Sequence, residues 1–412
     1  MSYFAEQDSA KFLQVLDRLC VTHQRFLEIV IGGYFVAYAF YVLMLGKLFA
    51  PPKSPDWYRD LGILWDLADY TVQHKSYPPG YFWPPSHAIL AHLYGLINRD
   101  LAFRLYLIVQ VVAVAVAMWA WACLIRLTTR PSRSLAMLTA FLAVFVYIHA
   151  ELGMHNTNAV TFCLVSLALV SQSRRQFSAG CYTLSIAIKP YGSVFVLPWM
   201  AWNGYRAWTA SALVWLLGFY VVLPVAWFGA SYTSELYREW VINITAAASS
   251  DGPDHLSVQG GVAALAGAWP ASCIYWTSMA LQAAWLGALI AFFVPTALRR
   301  GAPSAMTFGC EAAAILLIFL PLGGHQQPGR SITLLASMLI IASTVFHPGQ
   351  APILRGALAA ILAAIAISLY AIQIYGRIFF LLTLPVCLLA LMGLAIVRAM
   401  PPKQDSPPPS VT

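Results

Sequence analysis

Lys189 carries the sharpest chemical signal in the chain. It follows the run Tyr182-Thr183-Leu184-Ser185-Ile186-Ala187-Ile188 and precedes Pro190-Tyr191, with apolar residues dominating both sides. A cation inside an apolar run is costly and by default marks a working site. An ammonium group is a compact point charge suited to holding a phosphate. Pro190 cannot continue a helix, so the chain has a natural break beside the charge. Two plainer readings stay open: Lys189 snorkels to a membrane surface, or it pairs with Glu151.

Four acids follow in one polar stretch: Asp56, Asp60, Asp66 and Asp69. A carboxylate held at a membrane surface among Trp57, Tyr58 and Trp65 is partly desolvated, which raises its basicity and suits a general base. Asp56 lies nearest the preceding apolar run and is the first candidate, followed by Asp60. The two are four residues apart and would share a helix face, but with no His nearby they make a poor metal site. Any of the four is otherwise an ordinary solvated loop acid. Tyr77-Pro78-Pro79 and Trp83-Pro84-Pro85 form a stiff extended stretch. It either ends a loop or offers rings that can stack on a sugar. The turn His149-Ala150-Glu151-Leu152-Gly153-Met154-His155-Asn156-Thr157-Asn158 crowds hydrogen-bonding groups between two apolar runs. Helix capping by Asn156 or Thr157 explains some of them but does not need His155 and Asn158, which are candidates for a polar cavity. A late turn, Gly323-Gly324-His325-Gln326-Gln327-Pro328-Gly329-Arg330, offers His325 and Arg330 for a lipid phosphate and Gln326 for the cavity. Its plainer reading is an exposed turn with Arg330 among headgroups.

The elements that must position these residues are read from composition. Of 412 residues, 60% are hydrophobic and 10% are charged, against about 25% charged in a soluble domain. Mean hydropathy is +0.70. A bilayer is the solvent that suits such a chain, and disorder and ordinary water-soluble enzymes are excluded. The net charge of +8 reflects basic turns on the cytoplasmic side rather than nucleic-acid binding. The seven cysteines show no metal or disulfide spacing and read as small apolar residues. Apolar runs at 26–50, 101–125, 134–149, 157–172, 208–230, 273–298, 307–322, 331–346, 353–372 and 378–397 predict spans, and 177–200 is a further run broken at Lys189-Pro190. The expected fold is therefore an all-α polytopic membrane bundle of about ten to twelve transmembrane helices.

The basic clusters Arg126/Arg130/Arg133, Arg174/Arg175, Arg206, Arg299/Arg300, Arg355 and Arg398/Lys403 mark the cytoplasmic side. The spans then alternate if 86–97 does not cross and 177–200 enters and leaves on one side. This leaves two large outer loops, 51–100 and 231–272, carrying juxtamembrane helices. The second begins with an amphipathic stretch, 231–244, able to lie on the membrane. Residues 1–25 are expected to be a cytoplasmic N-terminal segment without a signal peptide, 26–398 the transmembrane domain and 399–412 a disordered cytoplasmic tail.

In order, the chain presents Asp56-Trp57-Tyr58 after the first span, Tyr77-Pro78-Pro79, the outer turn His155 to Asn158, the small-residue run Ala179-Gly180 leading to Ala187-Ile188-Lys189-Pro190-Tyr191, and a late outer turn with His325. Over roughly residues 25–345 this order resembles glycosyltransferase family 87 of the GT-C superfamily, whose members include polyprenyl-phosphate-mannose-dependent phosphatidylinositol mannoside mannosyltransferases. Two departures are His155-Asn156-Thr157-Asn158, where Gly-Gln-x-Asn is more usual, and the lack of an aromatic soon after His325.

The resemblance implies a GT-C-type bundle in a bacterial cytoplasmic membrane. It implies an inverting transfer of a hexose or pentose, mannose in the first instance, from a polyprenyl-phosphate donor to a lipid or glycan acceptor at the outer face. Asp56 would be general base, Lys189, His325 and Arg330 would hold the donor phosphate, and Asp60, Tyr77, His155, Asn158 and Gln326 would line the substrate cavity, without metal or cofactor. Phosphate-loop, HExxH and GxSxG motifs are absent. The alternatives are a transporter or flippase of a lipid-linked glycan, which should show internal repeats, and another lipid-modifying transferase.

Overall fold

The computed structural model describes residues 24–45, 59–78, 83–127, 130–189, 193–249, 262, 266, 269–299, 303–322, 332–347, 350–375 and 383–400. The candidate residues Asp56, His325, Gln326 and Arg330 lie outside these residues, as do positions 1–23 and the tail beyond 400. Among the described residues every regular element is helical. The first half of the chain holds α1 (Gln24–Leu45), α2 (Arg59–His74), α3 (Pro85–Gly95), α4 (Arg99–Leu124), α5 (Arg130–Met154), α6 (Asn158–Val170), α7 (Arg175–Ile188), α8 (Val196–Trp202) and α9 (Arg206–Leu217). The second holds α10 (Leu223–Phe228), α11 (Ala230–Ser249), α12 (Ala271–Ala297), α13 (Ala305–Leu317), α14 (Phe319–Leu322), α15 (Leu334–Val345), α16 (Pro352–Tyr375) and α17 (Thr383–Ala399). A π-helical turn, Gly218–Val222, joins α9 to α10.

Each predicted apolar run carries a helix. Among the described residues six stretches are long and apolar enough to cross a bilayer: Gln24–Met44, Arg99–Leu124, Arg133–Gly153, Arg206–Phe228, Ala271–Ala297 and Pro352–Ala371. The chain is an all-α, multi-pass membrane protein. The helix α3 has 11 residues, a length of about 17 Å, and cannot span.

Burial runs opposite to length. Every residue of α15 (12 residues) is buried, whereas only 11% of the most apolar stretch of α1 (22 residues) is. A helix facing lipid must match a hydrocarbon core of about 30 Å, but one enclosed by other helices need not. Small residues let the inner helices meet closely: Ala136, Ala140 and Ala143 of α5 and Ala336, Ser337, Ala342 and Ser343 of α15 are all buried. Gly309 of α13 is required by close approach, since a Cβ there would lie 2.8 Å from Ile125 Cγ2 at the end of α4.

The two ends of the bundle differ in chemistry. At one end Glu311 of α13, fully buried, accepts from Arg299, from Thr296 at 2.8 Å and from Trp199 of α8 at 3.3 Å. Arg398 of α17 approaches it to 3.4 Å. Phe308 packs against Trp199 and Tyr205. This end therefore gathers Arg126, Arg206, Arg299 and Arg398. Trp208 of α9 donates to Ser178 of α7 at 2.6 Å, which brings Arg174 and Arg175 there too. Thus α7 leaves the arginine-rich end and α8 returns to it, so 177–200 enters and leaves on one side as the charge pattern requires.

At the opposite end α2, α3, α10 and α11 make a second layer with its own apolar core, including Trp65, Ile89, Phe103, Phe228 and Leu236. Arg99 bridges Asp66 and Asp69 at 2.7 Å each, and His92 reaches Asp69 at 2.8 Å. Those two acids therefore fasten α2 to α3 and to the start of α4.

Candidate active site

The helices α6 and α7 set the depth of the site. Both start or end among the arginines and are only 13 and 14 residues long, about 20 Å against a core of about 30 Å. Their far ends therefore lie roughly 10 Å short of the opposite membrane face. There the chain places one buried cation and one buried anion.

Pro190 accounts for the position of the cation. The residue before a proline is driven out of the helical region, and Lys189 is extended, with φ −156° and ψ 103°. Its side chain is buried, with 4% of its surface exposed, and Nζ donates to Asn156 Oδ1 at 3.2 Å. It caps the negative end of α7, where a cation is favoured. Tyr220, in the π-helical turn, donates its hydroxyl to the Ile186 carbonyl at 2.9 Å and so satisfies an acceptor of the last turn.

The anion is Glu151, near the end of α5 and 1% exposed. Its carboxylate caps the next helix: it accepts from the Ala159 backbone N–H at 3.1 Å and from Asn158 Nδ2 at 2.8 Å. An acid at a helix N-terminus is favoured by the dipole and by the donors exposed there. Lys189 is close enough for its charge to act on Glu151.

Asn156 links the two. Its backbone carbonyl accepts from Tyr106 at 2.8 Å and Gln110 at 2.5 Å, both on α4. Its Oδ1 also accepts from the Thr157 N–H at 2.7 Å. His87 of the overlying α3 completes the group. It is buried and stacks on Trp83 at 5.6 Å. Burial, and after it the positive charge of Lys189, push its imidazole down from 6.5 to about 3, so the ring is neutral at pH 7. Ser86 Oγ, Gln110 Oε1 and Thr157 Oγ1 are buried and find no hydrogen-bond partner among the described residues. Such groups are rare in native interiors and call for an explanation.

The sequence candidates divide as follows. Lys189, His155 and Asn158 come together at this end. His155 has a left-handed backbone (φ 57°), and its ring meets Phe103 of α4 edge-to-face at 4.8 Å. Tyr77 belongs to that layer's core: its N–H donates to Glu239 of α11 at 2.6 Å and its hydroxyl to the Trp83 carbonyl. Asp60 falls in the first turn of α2, with its side chain outside the described residues. Sequence reasoning undervalued Glu151, His87 and Asn156. For Glu151 the signal was a carboxylate seven residues before Asn158, across a turn too long for a local capping pattern. Among the described residues no three His, Cys, Asp or Glu groups are placed to hold a metal.

The fold and this site define a class: a polytopic helical membrane protein with a buried cluster of charged and polar side chains at one end of its bundle, covered by a layer of shorter helices. A family model, Glycosyltransferase family 87, matches residues 81–322, more than half of the 412-residue chain, and the chain belongs to that family. It is a membrane glycosyltransferase. The matched region contains the whole Glu151–Asn156–Lys189 group and excludes Asp56, Asp60, Tyr77, His325, Gln326 and Arg330. No curated protein and no solved structure matches the chain.

Proposed function

We propose that the chain moves a hexose or pentose, mannose in the first instance, from a polyprenyl-phosphate donor to a lipid or glycan acceptor. Transfer takes place at the outer face of a bacterial cytoplasmic membrane. The positive-inside rule assigns the arginine-rich end to the cytoplasm and the end with Lys189 and Glu151 to the outer side. The observation that carries this reading is the buried Lys189 ammonium on Asn156 in a family 87 chain, close to Ser86, Gln110 and Thr157 side-chain oxygens that are buried without a hydrogen-bond partner among the described residues.

In this mechanism Asp56 takes the proton of the acceptor hydroxyl. The oxygen forms a bond to the anomeric carbon from the face opposite the phosphate. The C1–O bond breaks with its electrons passing to the phosphate oxygen, and configuration inverts. The donor phosphodiester carries one negative charge and the departing lipid phosphate gains a second. Lys189, with His325 and Arg330, meets that growing charge, which is where preorganised cations contribute most. His87, held neutral, adds no competing charge. Asp60, Tyr77, His155, Asn158 and Gln326 serve the cavity and its roof.

Donor binding to the detergent-solubilised protein tests the reading. Lys189→Met should weaken the affinity for polyprenyl-phosphate mannose by about tenfold or more, the scale of one charge-assisted contact. Lys189→Met combined with Glu151→Gln, which keeps the charge balance, should show the same loss. Unchanged affinity in both folded variants would remove Lys189 from the phosphate site.

A further inference from the structure

A groove of about 410 Å³ opens at the arginine-rich end between α1, α4 and α5, far along the bundle from Lys189 and Glu151. Its apolar wall includes Ile31, Phe35 and Trp119, and its polar rim Glu28, Arg126 and Arg133. The two arginines are exposed, and their side chains make no ion pair or hydrogen bond to any described residue. Two unpaired cations thus face one carboxylate at the end of an apolar slot.

The backbone supplies a second observation. The α4 helix ends in a paired turn: Leu127 N–H donates to the Ala122 carbonyl at 3.0 Å and Arg126 N–H to the Cys123 carbonyl at 3.1 Å. The residue between must be left-handed, and glycine is the usual occupant. Here it is Arg126, with φ 50°. A strained arginine where glycine would be comfortable points to a task for its side chain.

We infer that this groove binds an anionic glycerophospholipid of the cytoplasmic leaflet. Its phosphate lies on Arg126 and Arg133, a headgroup hydroxyl donates to Glu28, and an acyl chain lies along Ile31, Phe35 and Trp119. The occupant is a lipid because the slot is continuous with the lipid-facing side of α1, which exposes Ile29 and Val36. It is anionic because the rim carries an excess of positive charge, and basic pockets between spans on the cytoplasmic side select acidic headgroups.

The test is native mass spectrometry of the purified full chain, titrated with phosphatidylglycerol or phosphatidylcholine of the same acyl chains. Wild type should retain phosphatidylglycerol in preference. Arg126→Gly and Arg133→Gln should each lower that preference about fivefold, and the pair about thirtyfold, following roughly 1 kcal/mol per basic residue. Arg126→Gly relieves the left-handed strain, so its lipid-free melting temperature should hold or rise, which separates lipid loss from unfolding. Inorganic phosphate at millimolar concentration should not displace the lipid. Equal retention of the two lipids, or an unchanged preference in both variants, overturns the inference. Displacement of phosphatidylglycerol by a polyprenyl phosphate overturns it as well, assigning the groove to the donor.

Discussion

Lys189 and Glu151 are each buried charges, and each would be prohibitive alone. They are tolerable because each sits on the helix end whose dipole suits it and because Asn156 and Asn158 supply directed hydrogen bonds. Half of this was legible in the sequence. Lys189 stood out because a charge interrupts an apolar run beside a proline. Glu151 did not, since its capping role depends on where α6 begins after a turn. Two predictions belong to this scale. Asp56→Asn should lower turnover by about a hundred- to ten-thousandfold, the range for a lost general base, with donor binding retained, as measured by transfer of labelled sugar and by donor titration. His87 gives a pH dependence with a defined sign. The unfolded chain takes up this proton near 6.5 and the folded one near 3. Between those values the unfolded state binds more protons, so stability is fully present above 6.5 and falls as the pH falls, by about 1.4 kcal/mol per unit. Denaturant midpoints from pH 7 to 5 should follow that slope for wild type, and His87→Gln should flatten it.

Among elements, the short helices matter most. The helices α6, α7 and α15 contain 13, 14 and 12 residues, too few for a span on the ordinary measure of about 20, yet they stand in the middle of the bundle. Apolar runs revealed their existence but not their ends, because a run continues through 3₁₀ turns and loops that protein, not lipid, surrounds. Their early termination is what places Lys189 and Glu151 at depth. The opposite ends are held by Glu311, which joins α8, α12, α13 and α17 through Trp199, Thr296, Arg299 and Arg398. Glu311→Ala would leave Arg299 and Arg398 beside each other without their shared acid. Breaking a buried pair in this way costs about 3–5 kcal/mol, so the variant should melt well below wild type in a thermal scan in detergent. A melting temperature within error of wild type would mean that the clamp does not hold these helices.

For the whole molecule, a charge content of 10% separates into two populations. Arg126, Arg206, Arg299 and Arg398 collect at one end around the buried Glu311, while the buried Lys189 and Glu151 lie at the other. The sequence conveyed this polarity through the positions of its basic turns, which alternate correctly only because α3 does not cross and α7 and α8 form a returning pair. It conveyed less of the roof, whose core joins α2, α3, α10 and α11 across more than 150 residues through bonds such as Tyr77 to Glu239. Orientation can be read by labelling: Ser173→Cys and Thr245→Cys, both exposed and at opposite ends, should differ, with only Thr245→Cys reacting with an impermeant maleimide in intact cells above the wild-type background. The most direct measurement of the central claim is transfer by the purified full chain in sealed vesicles supplied with labelled polyprenyl-phosphate mannose and an extract of membrane lipids. A labelled glycolipid or glycan product is expected when donor is presented on the side of Lys189, with the yield cut at least about a hundredfold by Asp56→Asn. Donor crossing the bilayer intact, with no sugar transferred by wild type, would contradict it.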